Sequence, residues 1–356
     1  MGLNHPEDLD AWRRWQRSQN RLRALRAAFR KPAPADLVLL RESDKPTALF
    51  ALDATTPSAL AAVLEPASHL PASSYAILVP RSVAIEILQR QHLPVTDRAT
   101  DGEEWTMQAV EETAGAPDAL AEVRVVVSAG HFLAAGAVAQ RWATTLGAPY
   151  CVVQHGLLTP FAPPLPREAW LFAFSEADGE FWRSGRTDIH VESVGSQMLW
   201  NAASAPTPTE VVADARPVFL GQLHGAELPR RVSARTAATF CRETGATYRP
   251  HPAEVDRLSR WQHQRWRRQG IDVEDTGKPL VSGRPIVAIF STGILEAAAA
   301  GMPAWVTCAN PPEWVEEFWH RYGLSQWGND PTPPPVQPEV SPSQQIANRL
   351  QEMGVK

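Results

Sequence analysis

The chain has 356 residues, 44% of them apolar, with a formal net charge of -5. That length points to two domains of ordinary size, and so mild a charge argues against a general nucleic-acid binder. Three scattered cysteines, Cys151, Cys241 and Cys308, lack CxxC pairing, which argues against a disulfide framework or a zinc site and fits a reducing compartment. With no apolar run near the ~18–20 residues of a membrane span and no signal-peptide core, a cytoplasmic protein is expected, peripheral at most at the inner membrane face.

Residues 7–31 predict one helix, opened by Pro6 and Asp8 and stopped by Pro32. Trp12, Trp15, Leu22, Leu25 and Phe29 form its apolar stripe, ringed by arginines from Arg13 to Arg30. Such a helix either packs on its own domain with the arginines in water or lies on anionic lipid. Strand-like runs follow at 37–40, 48–52 and 76–79, with helical runs at 58–64 and 83–90 and a polar loop at 96–104. The apolar run 123–127 predicts a buried parallel strand, and 132–146 a helix closed by Gly147. Strands at 150–153, 170–174 and 190–194 surround a helix at 176–183. This rhythm predicts an open parallel sheet with helices on both faces.

Residues 201–215 lose the apolar period and predict a domain linker. The rhythm restarts with strands at 217–220, 247–249, 286–290 and 304–306, and helices at 233–243, 254–268, 294–300 and 313–322. Proline-rich residues 330–342 predict an extended tether to a last helix at 343–353. The expected domains are therefore 1–205 and 206–330, with 331–356 as tether and C-terminal helix.

Four constellations sit at strand ends, where open α/β sheets bind ligands. Arg249 and His251, held by Pro250 and Pro252, offer a guanidinium and an imidazole to a diphosphate. Ser291, Thr292 and Gly293 open a later helix with hydroxyls and N–H groups that favour an anion, or simply cap it. Glu296 accepts ribose hydroxyls or completes that cap. Gln154, His155 and Gly156 end a strand of the first half, and His131 stands at the end of the preceding one. Either histidine is a candidate general base, His155 the preferred one. Gly221, Gln222 and His224 open the second half with a glycine turn that suits a backbone-lined ligand contact. No Walker loop, dinucleotide fingerprint, Gly-x-Ser-x-Gly elbow or metal-binding histidine motif is present. Trp261 and Trp266, amid arginines, are read as covering their helix rather than stacking on sugars.

Two such halves, with Gln-His-Gly at 154–156, His-Pro at 251–252 and Ser-Thr at 291–292, resemble GT-B glycosyltransferases. The likeness is to bacterial surface-polymer enzymes: capsule polysaccharide transferases, sialyl- and polysialyltransferase-like proteins, and CDP-glycerol glycerophosphotransferases. It covers residues 120–310. Leu157 stands where glycerophosphotransferase-like proteins carry Thr, and the acidic-acidic-Gly motif of polysialyltransferase-like proteins has no match. The resemblance implies an α/β fold of two Rossmann-like domains with parallel sheets facing a central cleft. It also implies a nucleotide-activated sugar as donor, a polysaccharide or glycolipid hydroxyl as acceptor, and neither metal nor resident cofactor. In that reading His251, Ser291 and Thr292 hold the donor phosphate and His155 is the base. Glycerophosphate transfer, nucleotide-sugar epimerisation and a non-catalytic polysaccharide-binding role are the alternatives on the same fold.

Overall fold

The computed structural model describes residues 2–19, 35–91, 95–96, 105–205, 215–274 and 283–356. The chain divides into two compact units, Met1–Met198 with Pro338–Lys356, and Leu199–Gln337. Unit 1 thus ends earlier than the expected residue 205 and regains the chain after residue 337.

Unit 1 is built on β1 (Leu37–Arg41), β2 (Ala48–Ala51), β3 (Tyr75–Pro80), β4 (Val95–Thr96), β5 (Trp105–Val110), β6 (Val125–Ser128), β7 (Tyr150–Val153), β8 (Trp170–Ala173) and β9 (His190–Ser193). They form one sheet in the order β4-β5-β1-β3-β2-β6-β7-β8-β9. Only β1 runs against its neighbours, pairing antiparallel with β3 and β5. The sheet is parallel as expected except at β1. Six residues separate β1 from β2, too few for the crossover that two parallel strands require. β5 is a strand where the sequence predicted none; of the expected loop 96–104, Thr96 belongs to β4 and the rest lies outside the described residues.

Its apolar runs are continuous because both faces of the sheet are covered. Phe50, Ile77 and Val127 point to one core, where Ile346, Ala347 and Leu350 of a C-terminal helix also pack. Leu49, Leu78 and Val126 point to the other, against Val138, Ala139 and Trp142. Among the helices of unit 1 are α1 (Leu9–Gln19), α2 (Arg81–Gln91), α3 (Ala134–Leu146) and α4 (Glu176–Arg183). Gly147 closes α3 in the left-handed conformation (φ 65°) and donates to Ala143 and Thr144 carbonyls. α1 seats Trp12, whose Nε1 donates to the Phe161 carbonyl at 2.7 Å, and Trp15 stacks on Phe161 at 4.9 Å. The described half of the basic helix therefore spends its aromatic face on its own unit; the rest of the predicted helix, 20–31, lies outside the described residues.

α5 (Gln197–Ser204) spans the boundary in the chain. Unit 2 holds a parallel sheet, β11-β10-β12-β13, from β10 (Val218–Leu220), β11 (Thr247–Arg249), β12 (Ile286–Ala288) and β13 (Ala304–Val306). Its helices are α6 (Arg230–Thr244), α7 (Arg257–Arg268), α8 (Gly293–Ala299) and α9 (Glu313–Arg321). After residue 337 the chain returns to unit 1 and ends in α10 (Pro342–Glu352), capped by the Ser341 hydroxyl. In both units the first parallel strand has a strand on each side, β2 between β3 and β6, and β10 between β11 and β12. The crossovers leave to opposite sides there, the position at which open α/β sheets bind ligands. The α/β architecture with two Rossmann-like units is the one expected.

Candidate functional site

In unit 1 that position lies between the ends of β2 and β6. Asp53 follows β2 and accepts from the N–H groups of Ala135 (2.8 Å) and Gly136 (3.2 Å), the first turn of α3. Burial raises its carboxyl pKa, and those two N–H groups offset only part of the rise. Ser128, at the end of β6, donates to the Tyr150 hydroxyl, which donates to the Gly136 carbonyl. A Cβ on Gly136 would lie 1.9 Å from the Gly130 carbonyl oxygen, so only glycine lets the helix start approach this loop. The positive end of α3 is thus already occupied by Asp53, a carboxylate the sequence reading missed.

His131 and His155 leave the neighbouring strands β6 and β7. The Nδ1 of each is buried and has no hydrogen-bond partner among the described residues. Burial lowers the pKa of His155, and burial with the charges of Arg13 and Arg186 takes that of His131 down to about 4. Both rings are neutral at pH 7. The two do not share one environment. His131 lines a cavity of about 590 Å³ with Gln140, Leu165, Arg186 and Asp188, whereas His155 does not border it. Arg186 is spent there on Asp188 and on the carbonyls of Leu165 and Pro166. Gln154, expected to line a ligand site, is 1% exposed. Its side chain accepts from Phe174 N–H (2.8 Å) and donates to the Gly156 carbonyl (3.0 Å). It braces two strand ends and holds the turn that carries His155.

In unit 2 the loops after β10, β11 and β12 are tied together. Gln222 accepts from Phe290 N–H at 3.1 Å, binding the end of β10 to that of β12 as Gln154 binds β7 to β8. His224 and His251 stack face to face, their ring centroids 3.8 Å apart and planes within 16°. The Ala253 N–H donates to His251 Nδ1 at 3.1 Å, which places the proton of the neutral ring on Nε2. Burial lowers both pKa values: His224 to about 4, with the neighbouring His251 adding to the shift, and His251 against the opposing pull of Glu254.

Beneath this pair lies Glu254, 4% exposed, which the sequence reading took for an ordinary helix start. It accepts from Leu223 N–H (2.9 Å) and from the Tyr248 hydroxyl (2.9 Å), and bonds His263 Nε2 (2.9 Å). Burial alone would raise its pKa; the bonds from His263, Leu223 and Tyr248 outweigh it and hold the carboxyl below its ordinary value. A Cβ on Gly221 would lie 2.4 Å from the Tyr248 hydroxyl and 2.7 Å from Glu254. The glycine therefore makes room for this buried network.

Arg249 ends β11 with Glu274 3.9 Å away, and its charge also lowers the pKa of Glu296, which burial raises more strongly. Arg249 and Glu296 are thus electrostatic neighbours across two crossover units. Ser291 accepts from Gly293 N–H (3.2 Å) through its hydroxyl and from Ile294 N–H (3.1 Å) through its carbonyl, while the Thr292 carbonyl takes Glu296 N–H (3.1 Å). The expected unpaired N–H groups at this seven-residue helix are thus largely satisfied locally. Thr292 caps the helix through its backbone alone. Among the described residues no cluster of three or more His, Cys, Asp or Glu could hold a metal ion, and no helix is long and apolar enough to cross a membrane.

No family model matches the chain, and no curated protein matches it. Among solved structures it is similar to the UDP-GlcNAc 2-epimerase of Methanocaldococcus jannaschii, at 14% identity over 86% of this chain and 99% of that one, with a TM-score of 0.47. A second structure of that enzyme, in complex with UDP-GlcNAc and UDP, gives the same values. A mutant O-GlcNAc transferase of Thermobaculum terrenum is similar at 14% identity over 90% of this chain and 65% of that one, with a TM-score of 0.44.

Proposed function

We propose that the protein is a GT-B glycosyltransferase that moves a sugar from a nucleotide-activated donor to a hydroxyl of a polysaccharide or glycolipid. The observation that carries this reading is the stacked pair His224 and His251 at the strand ends of unit 2. With Nδ1 of His251 engaged by backbone, its Nε2–H is the group left to donate to a phosphate oxygen. Arg249 ends the strand that leads into His251, and Glu296, its electrostatic neighbour, supplies an acceptor suited to ribose hydroxyls. Transfer forms the bond between acceptor oxygen and anomeric carbon and breaks the bond from that carbon to the phosphate oxygen. His155, neutral at pH 7, takes the acceptor proton. His251 and Arg249 stabilise charge as it grows on the departing nucleotide, so no metal is obligatory.

Thermal shift against UDP-, GDP-, CMP- and CDP-linked donors tests the binding step, since a ligand that prefers the native state raises Tm. One nucleotide class should raise Tm, with and without EDTA, and the same donor should yield extended acceptor and free nucleotide. No shift with any donor overturns the reading. An isomerised sugar still joined to its nucleotide replaces transfer by epimerisation.

A further inference from the structure

α7 buries Ser259, His263 and Trp266 against unit 2 and turns its other side outward. Leu258 and Trp261 lie one turn apart on that outer side, 53% and 51% exposed, and Val255 just ahead of the helix is 66% exposed. These three account for three of the eight large apolar side chains so exposed among the described residues, within seven positions of chain. The expectation that Trp261 covers its helix is therefore corrected: Trp266 is buried and Trp261 faces out. Arg257, Arg260, Arg265 and Arg268 are exposed around them, and among the described residues none is paired with a carboxylate. The Arg265 guanidinium lies 5.5 Å from the centroid of the Trp261 ring. The helix itself contains no acidic residue, although the chain as a whole is acidic.

We propose that this face of α7 docks unit 2 onto an anionic phospholipid surface. Leu258 and Trp261 enter the boundary between headgroups and acyl chains, and the four arginines pair with lipid phosphates. An outward apolar stripe inside a ring of arginines is the chemistry such an interface selects. A nucleic acid would match the arginines and stack on Trp261, but it offers nothing to Val255 and Leu258, and these aliphatic groups favour lipid. The described part of α1 is basic as well, yet its Trp12 is 5% exposed and bonded to Phe161, so its aromatic face is already taken.

Flotation of the full chain with phosphatidylcholine vesicles, with and without phosphatidylglycerol, tests the proposal. The protein should float only with the anionic vesicles. Leu258→Ser with Trp261→Ser, and separately Arg257, Arg260, Arg265 and Arg268 each changed to Gln, should each lower partitioning at least about tenfold. Both variants should keep the parental Tm, because the altered side chains are exposed. Changing Arg13, Arg14 and Arg17 of α1 to Gln should leave flotation intact. Absence of flotation, or α7 variants that float like the parent, overturns the proposal. So does tight oligonucleotide binding without flotation, or self-association that the α7 changes abolish in the absence of lipid.

Discussion

Among the described residues, His131 and His155 in unit 1 each hold a buried Nδ1 without a partner, whereas His224 and His251 in unit 2 lie face to face at 3.8 Å and are exposed. Burial lowers the pKa of all four, but the surroundings differ in kind. A lone imidazole that keeps an unsatisfied nitrogen is a neutral base with its lone pair unspent. Two stacked imidazoles resist carrying two charges, and the backbone bond to His251 fixes which nitrogen donates. The first arrangement suits proton removal, and the second suits a grip on phosphate.

Four measurements sharpen that contrast. His155→Ala should give the largest effect, a fall in turnover of about a hundred- to ten-thousandfold, the usual contribution of a positioned base. Donor affinity by calorimetry should stay unchanged; an equal loss of donor binding would merge the two roles. His251→Ala should lower donor kcat/KM about ten- to a thousandfold, as expected on removing one donor to developing phosphate charge. His224→Phe, which keeps a stacked ring, should lose far less than His224→Ala; equal losses would assign His224 to direct contact. The smallest effect concerns stability. His131 titrates near 4 in the fold and near 6.5 when unfolded, so the unfolded chain takes up the proton first as the medium is acidified. Its contribution is whole above pH 6.5 and drains away between 6.5 and 4. Tm should fall over that window, and His131→Gln should flatten part of the fall.

Period and punctuation in the sequence made much of the fold legible. β6, β7 and β12 are short apolar runs with β-branched residues, and α3 ends at the glycine that predicts its end. β5 escaped because its strand, Trp-Thr-Met-Gln-Ala-Val, is buried at both ends and exposed at Gln108 and Ala109, which leaves no clean alternation. The reversed direction of β1 is set by the length of a connection, and nothing in the strand's own residues announces it. At the site, Arg249, His251 and Ser291 stand out by type and place. Asp53 and Glu254 do not, because each owes its role to N–H groups or hydroxyls that come from elsewhere in the chain. The meaning of Gly221 was equally hidden: the groups that exclude a Cβ come from Tyr248 and Glu254, beyond an entire helix.

The return of the chain to unit 1 after residue 337 also sets an order of assembly. Ile346, Ala347 and Leu350 fill one of its two cores, yet they follow all of unit 2 in the chain. On the ribosome, unit 2 has its full set of residues before its predecessor does, so unit 1 cannot complete this core until residues 346–350 are made. Until then the Phe50 and Ile77 face of its sheet lacks part of its cover, the kind of exposed surface that chaperones recognise during synthesis.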